Sequence, residues 1–324
     1  MLIITDLAHL SSCYSVMAIG VFDGVHQAHR IILQQLVDRA RERGGAAVIL
    51  TFCPHPQKVI SSGDAPTLLQ TDVQKQRIIE QLGLDVMVRL PFTRRLSLLT
   101  PDEFARQILY DHGIREIHVG SNFRFGHRRV GDLATLRSLG REMEFEVHEV
   151  KSVYFRDHRV SSTYVRKVLS EGRVALARRL LKRPYQVEGI VVRGSRRGME
   201  MGFPTANLDV DNELIPTTGV YFTQVLINGE RLLGVTNIGY RPTLHADLPT
   251  EAPTVETHLL DFKGSLYGKS MKLEFLMRLR AEKRFDGITS LSSRIERDVR
   301  LRRDYLTRAG QIKEKGDVLD YKGS

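Results

Sequence analysis

The sequence predicts two domains in series, a parallel α/β sheet followed by a small antiparallel β-barrel. Three observations carry this. At 324 residues the chain exceeds the size at which one hydrophobic core usually stops growing, ~250–300 residues. The first half alternates short apolar runs with segments of helical period, as in a parallel sheet covered on both faces. The second half changes to β-like runs punctuated by Gly and Pro, as in a small closed sheet. A composition of 42% hydrophobic and 27% charged residues fits an ordinary globular chain and excludes a disordered one.

The elements follow in order. Ser15–Phe22, Ala46–Phe52, Val86–Leu90 and Ile117–Gly120 read as buried strands. Ile31–Arg43 places Ile32, Leu33, Leu36, Val37 and Ala40 at helical spacing. Thr71–Leu82 and Pro101–His112 are also helical, the second with Thr100 as N-cap and Pro101 at the first helical position. Helical stretches Ser161–Glu171 and Arg173–Leu181 close this half. Beyond Arg183-Pro184, Val187–Val192, Val220–Ile227 and Arg231–Ile238 are β-like, and Asn228-Gly229 between the last two is a strong hairpin signal. Glu256–Phe262 and Lys272–Leu276 add two strands. A final helix, Ile288–Leu306, carries an apolar stripe at Ile288, Leu291, Ile295, Val299 and Leu306. The expected organisation is a first domain at 1–183, a second at 184–308 and a polar tail at 309–324.

The 48 Lys and Arg against 38 Asp and Glu give a net charge of +10, which favours anionic partners: nucleic acid, phosphorylated small molecules or an acidic membrane surface. The absence of Trp weighs against an aromatic platform for stacked bases. No run approaches the ~18 apolar residues of a membrane helix, and MLIITDLAHLSS lacks the basic start and apolar core of a signal peptide. Two cysteines, Cys13 and Cys53, exclude a disulfide framework and suggest a reducing compartment, so a cytoplasmic location is expected.

The first chemical signal is Gly20-Val21-Phe22-Asp23-Gly24-Val25-His26-Gln27-Ala28-His29, which leaves the first strand and enters the first helix. Ligands of open α/β sheets bind there, over a helix N-terminus whose free amides favour phosphate. His26 and His29 are three apart and share one helix face. Two imidazoles so placed can donate hydrogen bonds to a phosphoryl group as charge builds during transfer. The alternative is a plain strand–helix turn with two surface histidines. A zinc pair lacks the rest of its ligand set.

This segment resembles the G-x-F-D-G-x-H-x-G-H signature of the prokaryotic bifunctional riboflavin kinase/FAD synthetases. Further segments match that family in the same order: Thr51-Phe52-Cys53-Pro54-His55-Pro56 (T-F-D-P-H-P), Val119–Gly126 (V-G-x-x-F-x-F-G) and Ser161–Arg166 (S-S-T-x-x-R). In the second half, Gly202-Phe203-Pro204-Thr205-Ala206-Asn207, Asn237-Ile238-Gly239 with Arg241-Pro242-Thr243, Val255–Phe262 and Leu266–Lys269 match as well. The likeness spans roughly residues 15–306, and so many motifs in register make chance an inadequate explanation.

The resemblance implies an N-terminal Rossmann-like nucleotidyltransferase and a C-terminal six-stranded kinase barrel. The barrel would move the γ-phosphate of ATP onto the ribityl 5′-hydroxyl of riboflavin. The N-terminal module would join AMP to FMN, releasing pyrophosphate and forming FAD. Partners would be ATP, riboflavin and FMN, with Mg²⁺ accompanying ATP, flavins as substrate and product, and neither nucleic acid nor membrane; the oligomeric state stays open.

For residues, the resemblance implies His26 and His29 at the α-phosphate, with Gly20, Phe22, Asp23, Gly24, Asn122 and Phe125 contributing to nucleotide or substrate binding. Ser162, Thr163 and Arg166 would hold the departing phosphates, with Arg159 a further basic candidate; Ser161–Arg166 also reads as an ordinary helix N-cap. In the barrel, Glu256 would be the base, and Thr205 and Asn207 would hold Mg²⁺ and ATP oxygens. Gly194, Arg197, Gly198 and Gly202 would belong to a phosphate-covering loop over 194–202, and Pro204 would contribute to nucleotide or substrate binding. The chain departs from the family pattern at Ala28 (Gly), Cys53 (Asp), His127 (Lys) and Ser195-Arg196. Cys53 reads as a packed thiol, since neither reaction needs a nucleophilic sulfur.

Two competing readings accompany this one. The first is a riboflavin kinase whose adenylyltransferase module has degraded. The second is a nucleic-acid binder using Arg294, Arg297, Arg300, Arg302 and Arg303, although Glu296, Asp298 and Asp304 among them read as a solvated helix face.

Overall fold

The computed structural model describes residues 1–10, 14–61, 63, 65–110, 112–193, 205–240, 253–260, 262 and 264–281. The chain divides into two compact units, Met1–Ser162 and Thr163–Ser324. No helix among the described residues is long and apolar enough to cross a membrane.

The first unit is built on six parallel strands: β1 (Leu2–Ile4), β2 (Ser15–Ile19), β3 (Ala46–Cys53), β4 (Val86–Pro91), β5 (Ile114–Gly120) and β6 (Glu146–Val150). Their order is β1-β4-β3-β2-β5-β6. From β2 the chain builds outward first through β3 and β4, then in the other direction through β5 and β6. The topological switch therefore lies between β2 and β5, where ligands of open α/β sheets bind. All five residues of β2 are buried. Met17, Ile19, Val48, Leu50 and Val88 pack on one face of the sheet, and Val16, Ala18, Ile49 and Met87 on the other. The helix Gln27–Glu42 buries Leu33, Leu36, Val37 and Ala40 against the second face, the stripe expected from its periodicity.

Two edge strands escaped the sequence reading. β1 is only three residues long and mostly exposed, and β6 reads Glu-Val-His-Glu-Val, too polar to stand out. The Asp132-capped helix Leu133–Glu142 was also missed. Thr100 caps its helix as expected, in a reciprocal capping box with Glu103. The α-helix there stops at Phe104 and continues as a π-turn, Ala105–Leu109, rather than reaching His112; the Tyr110 amide bonds back to the Ala105 carbonyl. A short hairpin, β7 (Tyr154–Phe155) and β8 (His158–Arg159), precedes the helix Ser162–Ser170.

The second unit is a closed antiparallel barrel of β9 (Tyr185–Val192), β10 (Thr205–Val210), β11 (Gly219–Ile227), β12 (Glu230–Gly239), β13 (Thr254–Leu259) and β14 (Ser270–Arg280), in the order β10-β13-β12-β11-β14-β9. Asn228 and Gly229 take φ of 53° and 82°, the backbone that the β11–β12 hairpin demands. β13 ends at Leu259 rather than Phe262, and β14 runs four residues past the expected Leu276. β10 was not read as a strand, because its sequence, Thr-Ala-Asn-Leu-Asp-Val, carries turn-forming Asn and Asp.

The unit boundary lies about twenty residues before the expected one at 183. The helix Val174–Leu181 buries Val174, Ala177, Leu180 and Leu181 and packs on β14 and β9. It therefore belongs with the barrel. The expected helix Ile288–Leu306 and the tail at 309–324 lie outside the described residues.

Candidate active sites

The Gly20–His29 segment leaves β2 at the switch point and turns sharply into the helix Gln27–Glu42. Three residues in the turn have positive φ: Phe22 (53°), Gly24 (80°) and Val25 (36°). Glycine takes this backbone freely, whereas a β-branched Val there is strained. Hydrogen bonds from outside the segment hold the turn. The Thr51 hydroxyl donates to the Val21 carbonyl (3.1 Å), and the Gln70 amide to the Phe22 carbonyl (3.3 Å). The Ser162 hydroxyl donates to the Asp23 carbonyl (2.8 Å). The Leu69 amide donates to the Asp23 carboxylate, at 3.0 and 3.2 Å to its two oxygens.

This turn sets the two histidines. His26 is the helix N-cap, its Nδ1 accepting from the His29 amide at 3.4 Å. The two rings stack at 3.6 Å between centroids, and the Phe22 ring meets His29 edge-on at 5.1 Å. His26 is 4% exposed, so the reading of two surface histidines fails for it. A paired imidazole stack at a helix N-terminus can receive a phosphoryl group and supply donors to it.

Several expected binding residues have architectural contacts in the described structure. Phe22 is buried in the core, its ring closing over Gly20. Asp23 spends its carboxylate on Leu69. Phe125 is buried against Phe104 and Phe123, and its backbone pairs with Gly131. Asn122 is exposed just past the end of β5, its side chain beside Gly120, on the switch-point side of the sheet. Arg159 is exposed on β8. Ser162 touches the turn directly, and Thr163 and Arg166 follow on the same helix, past the unit boundary.

The departures also have places. Ala28 occupies the second position of a regular helix, where an L-residue costs nothing in backbone strain. Cys53 ends β3, but not in apolar packing: its Sγ donates to Asp72 Oδ2 (3.4 Å) and accepts from Arg89 (3.3 Å), which also bonds Asp72 at 2.7 Å. The His127 ring meets the Ser97 carbonyl at 3.0 Å and pins its turn to the neighbouring short helix.

In the barrel, register does what sequence spacing cannot. Asn207 on β10 faces Glu256 on β13, and Glu256 in turn faces Asn237 on β12. Cross-strand partners share a face, so the three side chains form a row across the barrel wall. Thr205 lies two residues from Asn207 on the same face. Asn207 is 8% exposed, and its Oδ1 accepts no hydrogen bond from the described residues. Asn237 belongs to a quoted motif but drew no role from sequence; only its register beside Glu256 singles it out. The opposite face of these strands carries a fully buried hydroxyl chain, Thr223–Thr236–Thr257, at 2.8 and 2.9 Å. Gly194, Arg197, Gly198, Gly202 and Pro204 lie outside the described residues.

Comparison with known proteins agrees with both halves. The family model for FAD synthetase matches residues 9–164 and that for riboflavin kinase residues 181–306. Bifunctional riboflavin kinase/FMN adenylyltransferases are similar along nearly their whole length. The Bacillus subtilis protein is 36% identical, covering 88% of this chain and 90% of its own, and that of Pseudomonas fluorescens 38% identical, covering 88% and 90%. The Escherichia coli K12 protein is 36% identical over 90% of this chain and 92% of its own. A solved Streptococcus pneumoniae structure described as a macrolide-efflux protein shares the fold, with a TM-score of 0.83 over 95% of this chain and 98% of that one, at 24% identity. By motif order, two-unit architecture and these matches, the chain belongs to the bifunctional riboflavin kinase/FMN adenylyltransferase family.

Proposed function

We propose that the two family activities use separate sites, with Glu256 and Asn207 at the centre of the kinase reaction and His26 and His29 at the centre of adenylyl transfer. The chain phosphorylates riboflavin to FMN and adenylylates FMN to FAD. The observation that carries the kinase assignment is the cross-strand pairing of Asn207 with Glu256. A neutral hydroxyl is a poor nucleophile, so a carboxylate beside the phosphate-binding residues is the group the reaction needs. Glu256 accepts the proton of the ribityl 5′-hydroxyl as its oxygen bonds to the γ-phosphorus and ADP leaves.

The buried Asn207 Oδ1, which accepts no hydrogen bond among the described residues, fits a hard cation, since Mg²⁺ takes oxygen donors alongside substrate phosphates. Thr205 and Asn207 would hold it. Bound there, Mg²⁺ supplies charge neutralisation at the β- and γ-phosphates.

Adenylyl transfer asks less of acid–base chemistry, because the attacking FMN phosphate is already ionised. An FMN phosphate oxygen bonds to the α-phosphorus of ATP and pyrophosphate departs. His26 and His29 orient and stabilise the α-phosphoryl oxygens. Ser162, Thr163, Arg166 and Arg159 are the groups suited to the departing pyrophosphate. Two cysteines without a disulfide framework suit a reducing compartment, and we place the reaction in the cytoplasm.

The test is riboflavin with Mg-ATP, with FMN and FAD separated by chromatography. The protein should form both. Glu256→Gln should lower FMN formation by ~10²–10⁴-fold while still making FAD from supplied FMN. Riboflavin phosphorylation within a factor of ~3 of the parent would dismiss Glu256 as the base. FMN without FAD from the parent protein would favour the kinase-only reading.

A further inference from the structure

We propose that Glu116, His118 and His148 form a site for one borderline divalent transition-metal ion, with zinc the best-fitting species, separate from the magnesium that accompanies ATP. The three residues come from neighbouring parallel strands. β5 carries Glu116 and His118 two residues apart, and in register β6 sets Glu146 beside Glu116 and His148 beside His118. All four side chains therefore share one face of the sheet. The site lies in the middle of β5, whereas the nucleotide turn leaves the carboxyl end of β2.

The donor atoms of Glu116, His118 and His148 all lie within 4.8 Å of one another. Glu116 Oε2 is 2.9 Å from His148 Nε2 and 3.9 Å from His118 Nε2. Zinc bonds of ~2.0–2.2 Å at tetrahedral angles set donors about 3.3–3.5 Å apart; the two Glu116 separations lie within a few tenths of an ångström of that, and the two imidazoles, whose donors are no more than 4.8 Å apart, would draw together on binding. Glu146 Oε2 lies 3.3 Å from His148 Nε2 at the exposed rim of the site. Two imidazoles and a carboxylate suit zinc and its neighbours, not magnesium.

The second observation is His118 itself. It is 6% exposed, and neither of its ring nitrogens has a hydrogen-bond partner among the described residues. A buried imidazole with donor and acceptor both idle is costly and calls for an explanation.

Around the donors, Glu116 is fully buried and oriented by the Tyr14 hydroxyl (2.6 Å), Arg39 Nε (3.0 and 2.8 Å) and Arg43 Nε (3.4 Å). Such outer groups fix a ligating carboxylate. The two arginines oppose an added cation, and Glu116 with Glu146 balances them. His148, 36% exposed, opens the site to solvent. The rival state is a protonated His148 bridging Glu116 and Glu146 without metal; it leaves the His118 nitrogens unexplained.

The experiment uses the full chain, stripped with chelator and free of nucleotide and flavin. Zn²⁺ alone is titrated calorimetrically at neutral pH, retained metal is counted after gel filtration, and Co²⁺ substitution is read by its visible absorption. One equivalent should bind. His118→Gln and His148→Gln should each weaken binding at least about tenfold. A double variant, His26→Gln with His29→Gln, should leave this binding intact. Failure to retain an ion overturns the proposal, as does unchanged binding in His148→Gln or loss confined to the His26/His29 variant. Should His118→Gln fail to fold, half-exposed His148→Gln decides the matter.

Discussion

Asp23 tests whether the Gly20–His29 turn is held from within or by a bound substrate. Its carboxylate is 5% exposed and accepts the Leu69 amide, across a turn that contains strained Phe22 and Val25. Asp23→Ala removes a charged acceptor and leaves a buried amide unpaired. Hydrogen bonds to charged groups contribute about 1.5–3 kcal/mol, so local opening around Leu69 should become ~10–150-fold more frequent. For a domain of this size, ~2–4 °C of Tm per kcal/mol translates that loss into roughly 3–12 °C for the first unit. Asp23→Asn keeps an acceptor oxygen and should recover a large part of the loss. Amide exchange followed by mass spectrometry, thermal unfolding and both half-reactions make the assay. FAD synthesis should fall with the opened turn, while riboflavin phosphorylation stays at the parent rate. If Asp23→Ala loses FAD synthesis with exchange at Leu69 and Tm unchanged, the carboxylate acts on the substrate and the architectural argument is wrong.

Three other outcomes are expected. With the nucleotide at this helix N-terminus, as proposed, Ala28→Gly should lower the ATP KM of FAD synthesis a few-fold, at ~0.5–1 kcal/mol of helix stability; steady-state kinetics over an ATP series would expose an unchanged KM. A fragment of residues 163–324 should outlast one of residues 184–324 on thermal unfolding. Val174, Leu180 and Leu181 are at most 1% exposed, and burying each such side chain contributes ~1.5–3 kcal/mol, so equal Tm values would refute the packing argument. Burial raises the Glu274 carboxyl above its ordinary 4.5, against the pull of Arg231, Arg178 and Lys272. A raised acid stabilises fully below 4.5 and loses that stability as pH climbs through its folded value, so Glu274→Gln should raise Tm near pH 7 and lose the advantage toward pH 4.

Much of the fold was legible where hydrophobic period and capping speak locally. The helix at Gln27–Glu42 buries the residues its spacing selected, and Thr100 caps as its sequence required. Edge strands were not legible, because solvent on one side removes the apolar signal: β1 is too short, β6 too polar. The meeting of His26 and His29 at the strand–helix turn was readable from their spacing. The working partners of Asp23 and Phe125 were not, since Leu69 and Phe104 lie far from them in the chain.

Residue order alone was enough to establish the two-part architecture, the family and the chemistry-bearing types, because periodicity, capping and motif order are properties of short windows. Pairing across strands settled the rest. Asn207 meets Glu256, and His118 meets His148, through strand registers that depend on the packing of the whole sheet. A one-residue slip would send each of those side chains to the opposite face. Likewise the helix Val174–Leu181, equally helical in either domain by its sequence, belongs to the barrel because its apolar stripe is buried on β14 and β9.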